Sequence, residues 1–388
     1  MLCNNHKLLL FHFIFIFSAN VAFCQSQNSS VAENPIAIKK YSAQGMKEFS
    51  SLLEDLGSQR EFNGTVLIAQ DGQILFEKSI GFADVNSQRK LSDSSAFRLA
   101  SVSKQFTAMC IMMLKEDGKL DFDDSITKHL RELPYKKITI RHLLNHTSGL
   151  PDYMGMFSQH WDQDVPDAKK KLVFNKDVLA MFAKHKPKPS FASGDRFEYS
   201  NTGYALLANI VESTSGMPIG KFMSQRIFKP LEMKNSKAFE GNDTKDSKDS
   251  NRVFGFEFMR KGKFGDNDHH FLNGIVGDGG VYASARDLIK WDEAWRTEKL
   301  VSKKSIDEAF KPGQLNDGSN TDYGFGWVIG KNNKGHLRVI HNGAWVGFQT
   351  YIQRETEEKK LLVILTNCSG YDEAAISKGL KQLGQTAK

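Results

Sequence analysis

Strand-forming sequence lies at both ends of this chain and helix-forming sequence lies between them. Phe62 to Ala69 reads as a strand, Asp71-Gly72 as a tight hairpin turn and Ile74 to Phe82 as the returning strand. Far downstream, Tyr323 to Ile329, Leu337 to His341, Gly347 to Gln353 and Leu361 to Thr366 read as an antiparallel meander, with turn chemistry at Asn332-Asn333 and from Glu355 to Lys359. Met46, Phe49, Leu52, Leu53 and Leu56 have helical spacing, and a last helix runs from about Tyr371 to Leu383. From Ser101 to about Ser224 the pattern is mainly helical, broken at Pro134, Gly149-Leu150-Pro151 and Lys186-Pro187-Lys188-Pro189. Strands at opposite chain ends bury their apolar faces by meeting in one sheet. The expected class is therefore α/β, of the α+β kind. A sheet lobe (about 40–95 and 270–388) is built from both ends with flanking helices, and a mainly helical lobe (about 96–269) is inserted between its halves.

The first 39 residues are read apart from that domain. Lys7, the apolar run Leu8 to Phe17, and Ala22-Phe23-Cys24 before Gln25 have the three parts of a signal peptide over residues 1–24. Residues 25–39 make a polar tether, and 40–388 the folded domain. The apolar run is short for a membrane span, and no other segment suits one. Lipid attachment at Cys24 is a second outcome of the same export signal. Of the remaining cysteines, Cys110 lies on an apolar helical stripe and Cys368 ends an apolar strand, so both read as small core residues. No Cys/His spacing suggests a metal. The net charge of +7 is mild and has no basic stripe interleaved with aromatics, which argues against nucleic acid as a partner.

Chemistry concentrates in three motifs. Ser101-x-x-Lys104 opens an apolar helix marked by Phe106, Met109, Cys110, Met113 and Leu114, which Asp117-Gly118 closes. Backbone N–H groups at a helix entrance lack partners, and an amine drawn out of water there can activate a neighbouring hydroxyl. Ser87…Lys90 and Ser125…Lys128 share the spacing but sit in polar sequence, and Ser103 points away from Lys104. Tyr199-Ser200-Asn201 precedes a second helix. A tyrosine beside a cation can shuttle protons, and Asn201 can accept from Lys104 and donate to a substrate carbonyl. His341-Asn342-Gly343-Ala344 ends a strand of the meander, where Gly343 admits close approach of a substrate. In isolation each motif also reads as a helix cap or a turn. Tyr-x-Asn and His-x-Gly each occur once in the chain.

Together and in this order, the motifs resemble the serine β-lactamase and penicillin-binding peptidase superfamily, in its class C-like branch of class C β-lactamases, D-alanyl-D-alanine carboxypeptidases, D-aminopeptidases and related esterases. Phe62-Asn63-Gly64, Leu143 to Leu150 and Gly279-Gly280 before Ala285-Arg286-Asp287-Leu288 extend the resemblance over about residues 40 to 385. It implies a β-lactamase/transpeptidase-like fold and an exported serine hydrolase without cofactor or metal. Ser101 would be the acylated nucleophile, Lys104 its partner and Tyr199 the proton shuttle. Asn201, His341 and Gly343 would bind substrate, and Ser101 and Ala344 N–H groups would form the oxyanion hole. Tyr153, Trp345 and Phe348 would line the pocket. Histidine replaces the lysine of some relatives at position 341, and protonated it would anchor a carboxylate near or below pH ~6.5. The implied substrates are D-amino-acid peptides or amides related to peptidoglycan fragments, or small esters. The alternatives are a class C-like β-lactamase and a non-catalytic cell-wall sensor. Protein recovered from its native cell should begin at Gln25, or at a lipid-bearing Cys24. Mass spectrometry finding Met1 retained contradicts both.

Overall fold

Strand β1 (Gly64–Gln70) is buried along its whole length because both of its faces are covered. It pairs on one side with β2 (Gln73–Ile80) through the Asp71-Gly72 turn, where both residues take positive φ, 49° and 78°, as a two-residue hairpin requires. On the other side it pairs with a strand from the far end of the chain, Lys360–Thr366, in register from Gly64↔Thr366 to Gln70↔Lys360. The computed structural model describes residues 40–164, 171–239, 251–259 and 263–386, all within one compact unit. The expected signal peptide, tether and Cys24 lie outside the described residues. With β3 (Val328–Lys331), β4 (Leu337–Trp345), β5 (Phe348–Glu355) and β6 (Lys360–Thr366), the six-stranded antiparallel sheet has the order β3-β4-β5-β6-β1-β2.

Alternation along the strands divides the apolar side chains between two layers. Val66, Ile68 and Ile364 meet Phe49, Leu53, Ile376 and Leu383 of the terminal helices Ala43–Ser58 and Glu373–Gln385. Leu67, Ala69, Val363 and Leu365 face the larger core, shared with the helices Lys104–Glu116 and Ala285–Ala294. Lys104–Glu116 is buried all round from Lys104 to Leu114, its polar Gln105 and Thr107 held by Trp291 Nε1 and the Gly277 carbonyl, and its Phe106 ring stacks 4.0 Å from Trp291. Cys110 and Cys368 are free and buried, as their sequence settings predict.

Three expectations change. The strand expected over Tyr323 to Ile329 begins only at Val328, because Gly326 turns the chain at φ +78°. A Cβ there would stand 2.8 Å from Gln105 Cα, so only glycine brings this turn against the central helix. Strand β4 does not end at His341 but runs on to Trp345, paired with β5 from Arg338↔Glu355 to Trp345↔Phe348. The two-residue turn Val346-Gly347 closes it with Val346 at φ +45°, a conformation β-branched residues avoid and sequence rules therefore miss. The segment 252–259, expected with the helical lobe, rests on the sheet end, where Phe256 N–H donates to the Asn367 carbonyl at 2.9 Å.

Sheet and helices are also joined by a buried ion pair. Arg354 Nε on β5 donates to Asp292 Oδ1 at 2.5 Å, and Arg354 Nη2 reaches the Asp292 carbonyl at 3.2 Å. Removing one partner strands a buried charge. Asp292→Ala should lower unfolding free energy by about 3–5 kcal/mol in urea titration with an unchanged m-value. A loss under about 1 kcal/mol would contradict the reading of this pair as uncompensated once broken.

Candidate active site

The segment Ala100–Ser103 forms a single 3-10 turn that delivers the chain into the central helix, so Ser101 precedes the α-helix proper and Lys104 is its first residue. Ala100 takes φ +48°, a strained setting for a residue with Cβ that fixes the angle at which Ser101 is presented. Ser103 is committed to structure, its Oγ accepting from Val281 N–H at 3.0 Å. Lys104 is fully buried. Its Nζ donates to Ser101 Oγ (3.1 Å), to Asn201 Oδ1 (2.9 Å) and to the Asp278 carbonyl (3.0 Å). Three acceptors match the three donors of an ammonium group. None is a carboxylate, and among the described residues Lys104 has no ion pair.

Asn201 heads the helix Asn201–Ser215, where its Oδ1 faces Lys104 while its backbone and side-chain N–H groups lie 3.3 Å from Asp152 Oδ2. Tyr199, two residues earlier, is 41 % exposed. Lys104 Nζ stands 4.9 Å from its ring centroid, and the His146 ring lies 4.3 Å from it at a tilt of 36°. The third motif arrives on β4. Gly343 packs so tightly on the Ala100–Ser103 turn that a Cβ would meet the Leu99 carbonyl at 2.5 Å and Ser101 N at 2.8 Å. Thr350 Oγ1, across the ladder, donates to the same Leu99 carbonyl at 2.7 Å. Ser101, Asn201, Ala344, Trp345 and Tyr153 line one pocket of about 60 Å³, together with Asp278 and Arg98.

Residues 47–384 match the beta-lactamase family. The chain is 37 % identical to a penicillin-binding protein of Bacillus subtilis (strain 168), over 83 % of this chain and 71 % of that protein. The chain belongs to the beta-lactamase family. It is also 25 % identical to a D-aminopeptidase of Brucella ovis, covering 79 % of this chain but 56 % of that protein. Among solved structures it is similar to an octameric penicillin-binding protein homologue from Pyrococcus abyssi, with TM-score 0.73 and 27 % identity over 87 % of this chain and 77 % of that one. The chain is thus a serine hydrolase of β-lactamase-related type with the mixed fold its sequence implied.

Within this beta-lactamase-family pocket two expected residues have different surroundings. Phe348 does not line it. Its place on β5, with Thr350 and Ile352 on the same buried face, sends the ring into the core beside Tyr282. His341 cannot serve as a protonated anchor. It is 2 % exposed, in mid-strand, with Nδ1 2.6 Å from the Asn342 carbonyl and Nε2 2.9 Å from the Tyr323 hydroxyl. A carbonyl only accepts, so Nδ1 carries the hydrogen and Nε2 accepts from Tyr323. Burial, then the nearby Lys104 charge, hold its pKa down to about 3.

Four further residues complete the surroundings. Tyr153 donates to Asp278 Oδ2 at 2.7 Å. Arg98 lies behind, its guanidinium bonded to the Asn273 carbonyl at 3.0 Å. His146 accepts the Ser200 N–H at 3.1 Å, and Tyr323 caps His341. Gly277 to Gly280 reads from sequence as a turn, and nothing in its spacing marks Asp278 as part of a site.

His146, whose pKa burial presses well below the usual value, is the second buried neutral histidine here. The unfolded chain protonates both near pH 6.5 while the folded chain does not until far lower pH. Their effect is absent above about pH 6.5. Stability falls as pH drops from there toward 3, by up to about 1.4 kcal/mol per pH unit for each histidine. His341→Gln should flatten the fall of the urea midpoint between pH 6.5 and 4. An unchanged slope would contradict a neutral buried His341.

Proposed function

We propose that this chain is an exported serine hydrolase that forms a covalent acyl-enzyme at Ser101 and acts on D-amino-acid peptides or amides related to peptidoglycan, or on small esters. The observation that carries this reading is the contact of buried Lys104 Nζ with Ser101 Oγ at 3.1 Å, with Asn201 and the Asp278 carbonyl taking its other donors. Ser101 Oγ attacks the scissile carbonyl and loses its proton to the Lys104–Tyr199 pair. The carbonyl oxygen becomes an oxyanion facing the N–H groups of Ser101 and Ala344, each such donor being typically worth about 10²–10³ in rate. Tyr199 then passes the proton to the departing amine or alcohol, and water releases the acyl group.

Asn201 holds Lys104 and meets the substrate amide, while Gly343, expected to admit a substrate, instead lets β4 close on the turn that carries Ser101. The D-aminopeptidase among the relatives supports the substrate class. The signal-peptide pattern before Gln25 supports export, and no helix among the described residues is long and apolar enough to cross a membrane. A neutral His341 gives a β-lactam carboxylate no charge to pair with, which favours a peptidase, amidase or esterase over a β-lactamase.

Tyr199→Phe deletes the hydroxyl and keeps the ring on His146. For a D-amino-acid anilide, kcat should fall by roughly 10²–10⁴, the usual worth of general acid–base catalysis. For a p-nitrophenyl ester, whose leaving group needs little protonation, the loss should be much smaller. Equal losses for both would assign the proton transfer to Lys104 alone and leave Tyr199 a positioning residue.

A further inference from the structure

The pocket beside Ser101 is polar and apolar in about equal measure, with Leu272, Ile275 and Met154 forming an apolar part of its wall. Its polar side chains are largely spent on one another. Trp345 Nε1 donates to Asn273 Oδ1 at 2.7 Å. Arg98 gives Nη2 to the Asn273 carbonyl and rests against the Phe239 and Tyr282 rings, at 5.5 and 5.7 Å. No ion pair joins Arg98 to an acid among the described residues. The Tyr153 hydroxyl is committed to Asp278 Oδ2 at 2.7 Å.

Two groups are left over: Arg98 Nε, which is buried and donates to no acceptor among the described residues, and the Asp278 carboxylate, the one acid on the pocket wall. A carboxylate has about four acceptor positions, and Tyr153 fills one. Oδ1 accepts from no group among the described residues, although the residue is only 7 % exposed. Burial pushes its pKa up, against the pull of Lys104, of the Tyr153 hydroxyl and of Arg98, and among the described residues no cation is in salt-bridge contact with the carboxylate. The residue is also fixed relative to the nucleophile, since one lysine nitrogen reaches both Ser101 Oγ (3.1 Å) and the Asp278 carbonyl (3.0 Å).

We infer that Asp278, oriented by Tyr153, receives the free α-ammonium group of the acyl donor, so that the enzyme selects substrates with an unblocked amine two bonds from the scissile carbonyl carbon. The inference rests on Ser101 being the acylated nucleophile. An α-ammonium brings three donors and a charge to an acceptor that lacks both, and the apolar wall takes a small side chain beside it. An acylated amine offers one N–H and no charge. A carboxylate in that position would face Asp278 directly.

The test follows the rate at which a fluorophosphonate labels Ser101, read by mass spectrometry near pH 7, with added D-alaninamide, N-acetyl-D-alaninamide or N-acetyl-D-alanine. Protection does not depend on turnover. D-Alaninamide should protect at a concentration at least about 10-fold lower than its N-acetyl form, the worth of one charge-assisted hydrogen bond. Asp278→Asn should shrink that ratio to within about twofold. Because the ratio is taken within one protein, a general weakening of the site cancels from it. Tyr153→Phe, which frees the carboxylate from its orienting donor, should lower the ratio several-fold and serves if the first variant does not fold. A wild-type ratio near one, a ratio that survives Asp278→Asn, or better protection by N-acetyl-D-alanine (which would give the pocket to Arg98) each overturns the inference. Absence of label on Ser101 in the wild type would overturn the nucleophile reading itself, and this inference with it.

Discussion

A lysine nitrogen buried without a carboxylate beside it is the constraint on which the rest of this site depends. Lys104 Nζ is fully enclosed and makes three hydrogen bonds, to Ser101 Oγ, Asn201 Oδ1 and the Asp278 carbonyl. Burying a cation this way costs free energy unless every donor is met. The acceptors come from three separate parts of the chain, so the lysine is satisfied only when those parts have converged. The same contacts that make the buried amine tolerable also place it on the Ser101 hydroxyl.

Convergence is the work of the sheet. Strands β1 and β6 bring the two chain ends together over seven paired residues, and β4 and β5 extend that sheet to the start of the central helix. There Gly343 lets backbone pack on backbone, and Thr350 ties β5 to the Leu99 carbonyl. The helical lobe supplies Asn201 as the first residue of one helix and Tyr199 from the loop before it, with the His146 ring packed against Tyr199. Ser101 thus lies at the seam of sheet and helices, presented by a strained residue, Ala100, whose small side chain keeps the cost of positive φ low.

The legible parts of the sequence were those governed by local period. Short apolar runs bounded by turn residues mark β1, β6 and most of the meander, and an apolar stripe after Lys104 marks the helix Lys104–Glu116. Lys104 touches both Ser101 and Asn201, each placed at a helix entrance. What failed depended on tertiary context. The extent of β4 rests on Val346 accepting a positive φ, against its propensity, and that extension is what buries His341 and keeps it neutral. Phe348 was read as a pocket aromatic because it follows the third motif. Its true neighbours are set by alternation along β5, a face that also carries Arg354 and so does not look apolar. Asp278 and Arg98 had no signal, since a carboxylate in a glycine-rich turn and an arginine before a serine are ordinary in any loop.

The account stands on the chemistry between Lys104 and Ser101. Its most direct test is the rate constant for fluorophosphonate modification of the wild type and of Lys104→Met, with the site located by peptide mass spectrometry. The variant keeps most of the side chain's volume and removes only the amine. The account predicts a single adduct, on the peptide carrying Ser101, and a fall in its rate of about 10²-fold or more in a variant that retains its fold. Modification of Lys104→Met at the wild-type rate, or an adduct on another serine, would contradict it.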